Sequence, residues 1–272
     1  MNLSVTDDEM EVLLGDIQDI YGYDFHDYSR ASLKRRINRL FALDRFPSYA
    51  EFRFRIRTDR LYFGRFIEQI TVNVTEMFRD PAFYLALRTE VLPILSTYPF
   101  IRIWHAGCST GEEVYSMAIL LREANLLHKS ILYATDINPQ VIQQATSGIF
   151  PLGHMKQYSE NYIQSGGIND FSAYYTAGNN KVMFDPSFKK HMVFSTHNLA
   201  AESSFNEFQL IVCRNVLIYF DRALQSRVFD LFDQSLERLG FLALGSKESL
   251  RLSATNTKFR QITTEKIWRK VI

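Results

Sequence analysis

The chain has 272 residues, of which 46% are hydrophobic and 22% charged, with two cysteines and a formal net charge of +1. This composition excludes a disordered chain, a collagen and a coiled coil, and two cysteines exclude a disulfide scaffold or a four-cysteine zinc site. No stretch approaches the roughly 18 apolar residues of a membrane span, the N-terminus is acidic where a signal peptide is basic, and the near-neutral total argues against binding nucleic acid by bulk charge. The expectation is a cytoplasmic protein with reduced thiols, not inserted in a membrane.

The neutral total hides a segregation. Residues 1–29 hold eight acids and no Lys or Arg, whereas residues 30–65 hold eleven basic side chains and three acids. One reading is that helices neutralise each other across a small bundle. Apolar periodicity predicts helices over 6–20, 29–41, 48–55 and 59–71. In the second, Leu33, Ile37, Leu40 and Phe41 form one stripe. At about 100° per residue, Arg35 and Arg39 fall opposite that stripe and Arg36 lies between the faces. These cations are therefore expected to face solvent or a partner. No strand pattern precedes residue 100, so 1–72 reads as a helical, basic docking subdomain and 73–99 as a linker that covers a ligand site.

From Ile101 the pattern alternates. Strands are predicted at 101–106, 131–136, 192–196, 208–213 and 241–246, with helices at 114–124, 137–148 and 222–237 between them. Such alternation specifies a parallel sheet with helices on both faces. The segments 258–264 and 265–272 leave no room for a helix between them and are expected to pair antiparallel. A doubly wound α/β sheet closed by a C-terminal hairpin resembles the Rossmann-like class I methyltransferases. The stretch 149–190, aromatic-rich with a Gly-Asn-Asn turn signal, reads as an inserted β-hairpin or three-stranded subdomain.

Candidate site residues cluster at strand ends. The first strand-to-helix turn carries Gly107 and Gly111, where small residues let a ligand approach and free helix N–H groups suit an anion. It lacks G-x-G-x-x-G, which disfavours a dinucleotide. Asp136 closes the second strand, where a carboxylate binds ribose hydroxyls; the bland alternative is a helix N-cap. Asn198 and Asn215 repeat the same address on two further strands, although each alone is more often a turn residue. The six histidines show no metal spacing. Cys108 has no nearby base in sequence, and Cys108 and Cys213 end strands expected to be neighbours.

Five segments, TVNVTEMFRD (71–80), WHAGCSTGEEVYSMA (104–118), ATDIN (134–138), THNL (196–199) and CRNVLIYFD (213–221), together resemble the CheR family. These are the S-adenosylmethionine-dependent methyltransferases that esterify glutamates of chemotaxis receptors, and the resemblance spans nearly the whole chain. It implies that Asn73, Thr75 and Arg79 close over the cofactor, that Gly107 lies against it, and that Glu113 meets its methionine end. It further implies Asp136 on the ribose, Asn198 and Leu199 beside the adenine, and Asn215 and Val216 completing the pocket. Arg79 and Tyr219 are placed nearest the transferred methyl, with S-adenosylhomocysteine as product and no metal. The implied partner is the helical cytoplasmic domain of chemoreceptors, met by Arg35, Arg36 and Arg39. Two departures are Lys247 in LGSKESL and a short turn in YYTAGNNKVMF, from which tether-independent docking is expected, without use of a receptor pentapeptide. A nucleic-acid methyltransferase is disfavoured because RNVLIY stands where an Asn-Pro-Pro-aromatic run would be; a non-catalytic cofactor-binding scaffold is the other alternative.

Overall fold

The computed structural model describes residues 4–272. Thr6 and Glu9 form a reciprocal capping box that starts α1 (Asp7–Tyr21), and Gly22, at φ 77°, ends it in the left-handed conformation. α2 (Arg30–Leu43), α3 (Tyr49–Thr58) and α4 (Arg60–Ile70) complete a small bundle. Its core includes Met10, Leu14, Ile37, Phe52 and Phe66. The stripe read for α2 is the buried one: Leu33, Ile37, Leu40 and Phe41.

Much of the charge segregation is resolved inside this bundle. Arg30 pairs with Glu11, Lys34 with Asp7 at 2.8 Å, Arg53 with Asp16 at 2.5 Å and Arg65 with Asp44 at 2.7 Å. Arg35 and Arg39 are exposed and make no ion pair among the described residues. Arg36 departs from the expectation of an outward cation. It donates to the Ile70 carbonyl and to Ser32, and its guanidinium lies 5.1 Å from the centre of the Tyr219 ring. Its position between the two faces of α2 lets the long side chain turn inward across the end of α4.

The segment 73–99 is more than a connection. After an extended stretch, Pro81 starts α5 (Pro81–Ala86), which runs through one π-helical turn (Leu87–Val91) into α6 (Leu92–Leu95). Phe83, Tyr84, Leu87, Val91 and Leu95 are buried there in the main core. Pro93 and the π turn interrupt the regular period, which explains why sequence periodicity passes over this helix.

The sheet contains β1 (Ile101–Ala106), β2 (Ser130–Asp136), β6 (Met192–Thr196), β7 (Phe208–Cys213), β8 (Leu236–Leu244), β9 (Phe259–Gln261) and β10 (Ile267–Lys270). Their order is β6-β2-β1-β7-β8-β10-β9. β6, β2, β1, β7 and β8 pair in parallel, whereas β10 is antiparallel to both β8 and β9. This is the doubly wound sheet with the expected terminal hairpin. α7 (Glu112–Glu123) and α8 (Pro139–Ser147) follow β1 and β2, and α10 (Arg222–Ser235) runs directly into β8. The insert holds β3 (Ile149–Pro151), α9 (Met155–Gln164), β4 (Tyr175–Gly178) and β5 (Lys181–Phe184), with the strands in order β3-β5-β4. β1 and β7 are adjacent, as expected from Cys108 and Cys213; both thiols are free and buried, in the core layers on either side of the sheet. No helix among the described residues is long and apolar enough to cross a membrane.

The helical bundle is stitched to the sheet at the loop after β7. Ser29 N donates to the Tyr219 carbonyl at 2.8 Å, Asp221 N donates to the Asp27 carbonyl at 2.9 Å, and Tyr28 and Phe220 form an antiparallel bridge with their rings edge to face. Gly64 of α4 comes so close to α8 that a Cβ there would lie 2.9 Å from the Gln140 amide.

Candidate active site

The C-terminal ends of β1, β2 and β7 open into a cleft of about 950 Å³, counting its solvent-filled mouth. Open parallel sheets bind ligands at this edge, where the strand order reverses. The bundle and the irregular stretch 71–79 form the opposite wall, with Tyr28, Arg36, Asn73, Thr75 and Arg79 facing the cleft. No metal-binding cluster is present among the described residues.

The floor is the turn after β1. Gly107 has φ 82°, and a Cβ added there would lie 2.4 Å from Val216 Cγ2. Glycine is thus required both by the backbone and by the close approach of Val216. Gly111, at φ 96°, is crowded in the same way by Ala145 of α8. Ser109 also has positive φ, and its hydroxyl is buried with no protein partner at the edge of the cleft. A polar atom so placed fits a ligand that supplies the missing hydrogen bond.

Asp136 ties two loops together. One carboxylate oxygen accepts from Ser109 N at 2.9 Å and the other from Asn138 N at 3.0 Å. The helix cap proper is Asn138, whose side chain accepts from Gln140 N at 2.9 Å, so Asp136 is released from that duty and faces the cleft. Burial pushes the Asp136 carboxyl above its ordinary range, with the backbone N–H groups of Asn138, Ser109 and Ile137 opposing. Its oxygens retain lone pairs that can accept from a diol.

Glu113, in the first turn of α7, sits 2.9 Å from His105 Nδ1 and 3.6 Å from Arg214 Nη1. Burial raises its pKa, but the His105 hydrogen bond and charge and the Arg214 guanidinium outweigh that and hold the carboxyl below its usual range. It therefore stays ionised, able to receive an ammonium group. Arg214 was missed by sequence reasoning. Nearly buried, it also reaches Asp80 at 2.5 Å and the Arg79 carbonyl at 3.2 Å, and stacks over Phe83. Partners 134 residues apart leave no local signal.

The other expected residues divide. Leu199, Asn215, Val216 and Tyr219 line the cleft, and so do Cys108 and His197. Asn198 does not. Its side chain accepts from Ala200 N at 3.0 Å, and it lines a smaller neighbouring hollow with Tyr21, Tyr23 and Glu202. The preference of Asn for closing a local turn wins there. Lys247 is exposed and outside the cleft.

Comparison with known proteins agrees with this architecture. The family profile of the CheR methyltransferase all-alpha domain matches residues 8–71, and that of the CheR methyltransferase SAM binding domain matches residues 73–267. A Pseudomonas putida protein named as a methyltransferase, Cher3, is 48% identical over 97% of both chains. The chemotaxis protein methyltransferase of Listeria monocytogenes is 32% identical over 84% of this chain and 85% of its own, and that of Borreliella burgdorferi is 28% identical over 92% and 91%. With its two-part architecture and its cleft matched along nearly the whole length, the chain belongs to the CheR family of S-adenosylmethionine-dependent methyltransferases.

Proposed function

We propose that this chain methylates glutamate side-chain carboxylates on the helical cytoplasmic domain of chemoreceptors, forming methyl esters that adjust receptor output. The relatives from Listeria monocytogenes and Borreliella burgdorferi, named chemotaxis protein methyltransferases, support the substrate class. S-adenosylmethionine, when bound, supplies a sulfonium methyl group. The residues that would hold it are Asp136 and Ser109 for its sugar, Glu113 for its amino group, and Leu199 and Ile137 against its base. Asn73, Thr75, Asn215 and Val216 complete the enclosure.

The observation that carries the reading is the placement of Arg79 and Tyr219 on the same cleft. A glutamate with pKa about 4.3 is already ionised at neutral pH and needs no general base. What the protein must provide is alignment, which contributes up to roughly 7–11 kcal/mol. Arg79 and the Tyr219 hydroxyl can orient a carboxylate by hydrogen bonding. Arg79 also donates to the Val74 carbonyl at 3.0 Å, so its charge is shared with the backbone and does not bind the nucleophile with full strength. Arg36 packs on the Tyr219 ring and fixes its plane. The helical bundle presents Arg35 and Arg39 outward as a docking face for an acidic receptor helix, and we take docking to be independent of a pentapeptide tether because the β4–β5 turn is only Asn179-Asn180.

Incubation with methyl-labelled S-adenosylmethionine and receptor-bearing membranes tests this. Base-labile label on a receptor-sized band is the expected result. Base-stable label, or label confined to RNA, overturns it.

A further inference from the structure

We infer that Glu248 is a positioning residue for the methyl-transfer site, acting through the loop that carries Arg214, Asn215, Val216 and Tyr219. The inference rests on the cleft being the S-adenosylmethionine site. Glu248 is 5% exposed and follows β8, outside every motif that marks the cleft. Its carboxylate receives four backbone N–H groups. Oε1 accepts from Val216 N at 2.9 Å and Leu217 N at 2.8 Å, and Oε2 accepts from Asn215 N at 3.1 Å and Gly245 N at 2.6 Å.

This arrangement answers a local problem. After β7 the chain must turn sharply, with Asn215 at φ 62°, and three successive N–H groups point inward with no carbonyl to receive them. A buried N–H left unpaired is costly. One carboxylate satisfies all three and adds Gly245 from the neighbouring strand end. The conformation that results brings Val216 against the Gly107 turn and sets the direction of the loop toward Tyr219. Gly245 leaves room for the carboxylate: a Cβ there would lie 2.8 Å from Glu248 Oε2 and 2.9 Å from Asn215 N. Burial raises the Glu248 carboxyl while the same N–H groups stabilise its charge. An amide cannot replace it, because its NH₂ would face two donors on one side.

The test is calorimetric titration of the full chain with S-adenosylhomocysteine, well below the melting temperature, fitting stoichiometry and Kd separately. Loss of folded protein lowers stoichiometry; a displaced loop raises Kd. Glu248→Gln is expected to raise Kd at least tenfold with stoichiometry near one, and Glu248→Asp, which keeps the charge at shorter reach, to fall between. Glu248→Asp decides the matter if Glu248→Gln does not fold; Gly245→Ala, whose Cβ would crowd both the carboxylate and Asn215 N, is expected to raise Kd at least fivefold as well. Variants that melt earlier but bind within twofold of wild type overturn the inference. A wild-type chain that fails to bind S-adenosylhomocysteine overturns the cofactor site itself, a distinct result.

Discussion

At the scale of single residues, the carboxylates around the first turn behave differently because their surroundings differ. Glu113 is held ionised by His105 and Arg214, whereas Glu112, one position earlier, is buried with no cation beside it, and hydrogen bonds from Thr110 at 2.6 Å, its own backbone N–H and Tyr158 only partly oppose burial, which lifts its pKa to about 7. A folded-state pKa above the unfolded value means that stability is full below about pH 4.5 and is lost as pH rises through about 7. Glu112→Gln is therefore expected to gain stability over wild type with rising pH, approaching about 3 kcal/mol near pH 8. Denaturant melts of both proteins from pH 4 to 8 check this; a constant difference contradicts it. Asp136→Ala is expected to weaken S-adenosylhomocysteine binding by about 1.5–3 kcal/mol, since its bonds are charge-assisted. Unchanged affinity in calorimetry would remove Asp136 from the ribose role. Asp136 and Gly107 could be located on the cleft because a strand end followed by a turn is a sequence address, and Glu113 only through the family resemblance. Asn198 shows the limit of that rule, which gives a position on the sheet and says nothing of where the side chain bonds. Arg214 and Glu248 were not legible, because their partners come from distant segments and buried polar contacts carry no periodicity.

At the scale of elements, the wall of the cleft depends on how 73–95 is anchored. Phe78 N donates to Ser116 of α7 at 2.9 Å, Asn161 of α9 donates to the Met77 carbonyl at 3.1 Å, and Arg214 grips Asp80 and the Arg79 carbonyl. The stretch before Met77, residues 72–76, makes no backbone–backbone hydrogen bond among the described residues, and its Val74 carbonyl is held by Arg79 alone. A rigid anchor thus follows a loosely held wall segment. Arg214→Ala leaves Glu113 and Asp80 without their buried cation and is expected to cost about 3–5 kcal/mol of stability. Chemical denaturation measures it; a loss under about 1 kcal/mol would mean that solvent compensates both acids. The bundle helices and the sheet strands were legible because their apolar residues recur at regular periods, and the C-terminal hairpin because two apolar runs lie too close for a crossover. The helix over 81–95 was not, since Pro93 and a π turn break its period.

At the scale of the molecule, an electrostatic division of labour emerges. Six of the eleven cations of residues 30–65 pair with acids of the bundle, four of them with acids of residues 7–16, so the segregation visible in sequence is in part a folding device. What remains free on α2 is Arg35 and Arg39, one turn apart and opposite the buried stripe, on the element whose Arg36 reaches the cleft beside Tyr219. A receptor helix rich in glutamate that lies along this face would be guided toward Arg79 and Tyr219. Exposed charges of this kind act mainly on association rate and are screened at physiological salt over roughly 8 Å. The combined change Arg35→Glu and Arg39→Glu is therefore expected to raise the apparent KM for receptor severalfold or more, to leave S-adenosylhomocysteine affinity unchanged and to flatten the dependence of methylation on salt. Deletion of the receptor's last residues is expected to alter the rate less than twofold. Initial rates on membranes at several ionic strengths decide both points. Normal methylation by the charge-reversed protein refutes docking through α2, and abolition of methylation by the tail deletion refutes tether independence.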